Sequence, residues 1–98
     1  MDDMYFDRQG KPIDRDTWVK KFGKLEYKRV ASTEKDGINV STIWLGMNHN
    51  WSGGEPLIFE TMIFGGEHGG YQERYATDEQ AIAGHKRAEK LAFGKGKK

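Results

Sequence analysis

The chain contains no cysteine. That removes disulfides, thiolate catalysis, cysteine-ligated zinc and iron–sulfur clusters, and it favours a reducing compartment. Long apolar runs are missing as well: no stretch approaches the roughly 20 residues a membrane span needs. The opening residues Met1-Asp2-Asp3-Met4 are acidic with no apolar run behind them, so no signal peptide is expected and the expected location is cytoplasmic. An excess of charge is lacking too. Sixteen basic side chains stand against fifteen acidic ones, a net charge of +1. Nucleic-acid binders usually carry a basic excess. Here one arises only locally, at Lys20, Lys21 and Lys24 and in the terminal Lys95, Lys97 and Lys98, and both clusters read first as solvated surface.

What is present suits one small globular domain. Ninety-eight residues make a single core, expected over 1–93, with 94–98 as a flexible basic tail. Three Trp, four Tyr and five Phe can fill that core, although 32% of the residues are charged.

Along the chain, Met4 to Ile13 reads as a short extended entry around the turn-forming run Asp7-Arg8-Gln9-Gly10-Lys11-Pro12. This run lacks the alternating ligands and distal Glu of an EF-hand loop. Asp14 to Phe22 predicts a short helix capped by Asp14 or Asp16, docked by Trp18 and Phe22 and closed by Gly23 at C′. Leu25 to Thr33 and Ile38 to Gly46 read as strands joined by Asp36-Gly37, a type I′ hairpin signal. That turn sets Lys35 opposite Ile38, Thr33 opposite Val40, Ala31 opposite Thr42 and Arg29 opposite Trp44, where Arg29 could lie over the indole. Leu57 to Phe64 is apolar on both faces and should be a central strand covered on both sides. Tyr71 to Ala76 suits an edge strand. Asp78 to Ala92 predicts a helix opened by a Thr77/Gln80 capping box, with Ala81, His85, Ala88 and Ala92 on one stripe. The expected fold is α+β in the order α-β-β-β-β-α: an antiparallel meander of three to four strands with the C-terminal helix across one face.

The search for chemistry returns little. GGEHGG (65–70) lacks the Lys-Ser/Thr of a phosphate-binding loop, and no H-E-x-x-H occurs. His49 and His68 flank the predicted central strand, about 26 Å apart at strand rise, too far to share one ion within the chain. No metal, cofactor or catalytic set is therefore expected. A small hydrolase or metal enzyme using His49, Glu55, Glu60 or His68 is the third-ranked reading. Glu60, set in an apolar strand, needs a partner, and Arg74 is the natural one. The loop Asn48-His49-Asn50-Trp51 offers the best recognition surface, because Trp is enriched at binding hot spots and this loop gives it little local reason to be buried.

The segments WLGMNH (44–49), PLIFETMIFGG (56–66) and QERYATDEQAIAGH (72–85), taken in that order, resemble a family of short hypothetical proteins encoded by bacteriophages and prophage-bearing bacterial genomes. The resemblance spans about Tyr5 to Leu91. Family members often carry Leu-Asp-His where this chain has Met47-Asn48-His49, so an amide replaces an acid. The resemblance implies a viral setting in the host cytoplasm and supplies no activity.

The leading expectation is an accessory phage protein that binds a host, defence-system or phage protein through Trp51, His49, Asn48, Asn50 and Glu60. A second copy of the chain is a further candidate partner, since it would cover the second face of Leu57–Phe64. The alternative is nucleic-acid or nucleotide binding through Lys86, Arg87, Lys90, Lys95, Lys97 and Lys98, with aromatic stacking.

Overall fold

The computed structural model describes residues 4–50 and 53–94. Two short strands, β1 (Tyr5–Phe6) and β2 (Pro12–Ile13), pair as an antiparallel hairpin around the expected turn. Helix α1 (Arg15–Phe22) follows, with the Asp14 carboxylate accepting from the Thr17 N–H as its N-cap.

Gly23 does not close α1 in a left-handed turn. Its φ is −78°, and the chain runs on into a single helical turn, α2 (Leu25–Lys28), where a strand was expected. The reason is tertiary. The extra turn aims the Tyr27 ring edge-on at Trp44, 4.9 Å between centroids, and sets the Lys28 ammonium 4.1 Å from the Phe22 ring. Lys21 likewise lies over Tyr27, which gives part of the first basic cluster a packing role.

The remaining elements are β3 (Arg29–Lys35), β4 (Ile38–Trp44), β5 (Phe59–Phe64), β6 (Gln72–Tyr75) and α3 (Asp78–Phe93). The four strands form one antiparallel sheet in sequential order, so the expected meander has four strands. Asp36 and Gly37 both take positive φ, 53° and 78°, as a type I′ turn requires. The register therefore holds for Lys35–Ile38, Thr33–Val40 and Ala31–Thr42. It breaks at Val30, where an irregularity sets Arg29 opposite Ile43 and not opposite Trp44. The expected Arg29–Trp44 stack does not form; Trp44 is fully buried and its indole N–H donates to the Phe6 carbonyl.

Val40, Thr42 and Trp44 with Phe59, Thr61 and Ile63 make the inner sheet face, and α3 covers it with Ala81, Gly84, His85 and Ala88. Thr77 caps α3 by accepting from the Gln80 N–H, and the Gln80 side chain accepts from the Ala76 N–H. At one end of the sheet the row Tyr5–Trp18–Phe22–Trp44 links β1 and α1 to β4, with centroid spacings of 5.0, 4.9 and 6.2 Å. The Arg8 guanidinium closes this corner, with both oxygens of Asp78 at 3.0 Å and the Tyr27 carbonyl at 3.1 Å.

Candidate functional site

The outer face of the sheet follows from strand alternation. With Val40, Thr42, Thr61 and Ile63 turned inward, Ser41, Ile43, Glu60, Met62, Phe64, Gln72 and Arg74 turn outward. No helix lies across this face among the described residues, so β5 is central in the sheet but covered on one side only. Phe64 is 51% exposed there. Glu60, in contrast, is only 9% exposed, because its cross-strand partner Arg74 donates through Nε at 3.2 Å and the Gln72 amide also donates to the same carboxylate oxygen. The expected Glu60–Arg74 pair is thus present, and it stands in register across β5 and β6. The carboxylate fixed by Arg74 and Gln72 thus stands two residues from Met62 and four from Phe64 on a face of mixed polar and apolar side chains.

The 46–56 loop is tied internally. The Asn48 side-chain oxygen accepts from the Asn50 and Leu57 N–H groups at 2.8 and 3.3 Å. The Asn50 amide donates to the Glu55 carbonyl at 2.8 Å, and the His49 ring meets the Met47 carbonyl at 2.8 Å. Asn48 and Asn50 therefore also shape the loop. Trp51, the central residue of that expectation, lies outside the described residues, as do Lys95, Lys97 and Lys98. His49 and His68 stay at opposite ends of β5: the His49 N–H bonds the Leu57 carbonyl before the strand, and His68 sits in the loop after it. Glu60 stands on β5, whereas Asn48, His49 and Asn50 stand in the loop before that strand, so the expected binding set divides between a sheet face and a loop.

Between the sheet and α3 runs a buried polar chain that sequence reasoning missed. The Thr61 and Thr42 hydroxyls meet at 2.5 Å, Thr42 meets His85 Nδ1 at 2.7 Å, His85 Nε2 meets Thr33 at 3.0 Å, and Thr33 donates to Glu89 at 2.5 Å. The proton positions follow from the ends. A carboxylate can only accept, so Thr33 donates to Glu89 and its oxygen is left to accept from His85 Nε2–H. Nδ1 is then bare and accepts from Thr42, whose oxygen accepts from Thr61. Burial pushes the His85 pKa below its ordinary value, against the pull of Glu89, in keeping with a neutral ring. The signal available in the sequence was a threonine between apolar residues on each inner strand face, Val40-x-Thr42-x-Trp44 and Phe59-x-Thr61-x-Ile63, opposite the histidine of the helix stripe.

A second cluster borders this chain. Tyr71 and Tyr75 donate to Glu73 Oε1 at 2.8 and 3.2 Å, and Arg87 pairs with the same carboxylate at 3.3 Å. Burial opposes ionisation of Glu73, yet the bonds from Tyr71 and Arg87 outweigh it and hold its pKa low. Burial pushes the Tyr75 phenol up to about 12. Arg87 is thereby turned to Glu73 on β6, while Lys86 and Lys90 line a groove with Thr33, Lys35 and Phe93. No buried side-chain nitrogen or oxygen among the described residues lacks a partner.

Comparison with family models, curated proteins and solved structures returns no match. The site must therefore be read from its own chemistry. The hydroxyl–imidazole chain is buried at Thr42, Thr61 and His85 and fully bonded, which suits a rigid core, and it ends at the half-buried Thr33 and Glu89. Solvent-facing groups that could engage another molecule are the outer sheet face, the 46–56 loop and the Lys86/Lys90 groove.

Proposed function

We propose that this chain acts by binding another protein, as an accessory factor of phage origin whose target is a host, defence-system or phage protein. The observation that carries the reading is the outer face of β5, across which no helix of the described residues lies. It presents a half-exposed Phe64 and Met62 beside a carboxylate locked by Arg74 and Gln72. An aromatic and a flexible thioether around a fixed polar anchor form the composition of a binding hot spot. The sheet beneath is rigid, so little ordering cost accompanies contact. Trp51 belongs to the same reading as a second anchor, on the sequence ground that Trp is enriched at binding hot spots.

The test is affinity capture from bacterial host lysate with the wild type, Phe64→Ser and Trp51→Ala, each checked for folding by circular dichroism. The expected result is one host or phage protein retained by the wild type and lost with folded Phe64→Ser. Capture that both variants leave unchanged contradicts the reading.

A further inference from the structure

Among the described residues, the three lysines of one groove form no ion pair. Lys35 on β3 and Lys86 and Lys90 on α3 line an open groove of about 550 Å³, with Phe93 at its end and Thr33 and Glu89 also on its lining. None of the ion pairs among the described residues uses any of these lysines. The one carboxylate in the groove, Glu89, is already engaged by the Thr33 hydroxyl. Three exposed ammonium groups thus face one committed carboxylate, in a chain whose overall charge is only +1. The excess is focused in this groove.

Phe93 sets the ligand class. Its ring packs against the Val40, Ile63 and Ala88 cluster, which fixes it as a platform, and the Lys35 ammonium stands 6.0 Å from its centroid. Cationic charge beside a fixed aromatic face is the pairing that holds a phosphate and stacks a base. We infer that this groove binds a nucleotide phosphate group with its base on Phe93, the nucleotide being either free or part of a single strand. The inference goes beyond the protein-binding reading and does not depend on it. Arg87 has no part in it, because Glu73 holds that guanidinium elsewhere.

The experiment measures fluorescence anisotropy of a labelled oligo(dT) strand on the full chain at about 50 and about 200 mM salt, with unlabelled ATP as competitor. For the strand, the expected log–log salt slope is about −2, the value for three lysines displacing counterions from a single strand. Lys86→Gln/Lys90→Gln should weaken binding about tenfold or more. Phe93→Leu keeps an apolar side chain against the core but loses the π face, and should weaken it as well. Lys35→Gln provides a surface variant that leaves the core untouched, and Arg87→Gln should change nothing. Competition by ATP identifies a free nucleotide as the source; strand binding that ATP does not displace identifies nucleic acid. The inference is overturned if neither probe binds at low salt, or if Arg87→Gln weakens binding as much as the groove variants. It is also overturned if deleting 95–98 abolishes binding while Lys86→Gln/Lys90→Gln retains it.

Discussion

Replacing Gly84 by Ala should destabilise this protein, although the change improves a helix on propensity grounds. Gly84 lies in the middle of α3 and is buried against Tyr75. A Cβ at 84 would fall closer than 3.0 Å to the Tyr75 hydroxyl oxygen and two of its ring carbons, a distance that Cβ atoms essentially never show. Tyr75 cannot shift cheaply. It is 4% exposed, lies in one cluster with Trp44 and Phe59, and bonds Glu73 through its hydroxyl. Ejecting the ring forfeits about 2 kcal/mol of burial and about 1 kcal/mol of hydrogen bonding. The helix gains about 1 kcal/mol from Ala over Gly. The net expectation is a loss of about 2 kcal/mol, within the usual range for overpacking. Urea denaturation followed by Trp fluorescence should show a lower midpoint at unchanged slope. In a Tyr75→Ala background the sign should reverse, with Gly84→Ala stabilising by up to about 1 kcal/mol. A wild-type background in which Gly84→Ala is neutral or stabilising refutes the reasoning.

The buried polar chain yields further expectations. Thr42→Val is nearly isosteric but removes the partner of His85 Nδ1 and Thr61 Oγ1, so it should cost about 1–3 kcal/mol in the same denaturation assay. His85 has a folded pKa below its ordinary value of 6.5, so the unfolded chain takes up the proton first. Its contribution to stability is complete above about 6.5 and is lost as pH falls from there through the depressed folded value. Urea midpoints measured from neutral to mildly acidic pH should decline in that window, and His85→Gln should flatten the decline.

Local chemistry was legible in the sequence where it acted alone. Asp36-Gly37 set the hairpin and three of its cross-strand pairs, Thr77 and Gln80 announced the start of α3, and Glu60 pointed to Arg74. Legibility failed where a distant residue decided the outcome. Leu25–Lys28 alternates as a strand would, yet Trp44 draws Tyr27 into a helical turn, and the irregularity at Val30 follows just beyond it. Gly84 gave no sign of its role because Tyr75 is nine residues away and meets it only through the docked helix. In the candidate site, Asn48 and Asn50 drew notice as polar loop residues, and their side chains bond backbone groups of the loop, a role that polarity alone did not signal. The outer face emerged only when α2 and α3 were both seen to leave it open.

The most direct test of that face uses Met62, which stands on it between Glu60 and Phe64. With methionine methyls labelled, the wild type is titrated with the captured protein and the methyl spectrum is recorded. Binding on the outer face predicts that the Met62 signal shifts or broadens in proportion to complex formed and that Phe64→Ser abolishes the change. A complex that saturates while the Met62 signal stays in place contradicts the account.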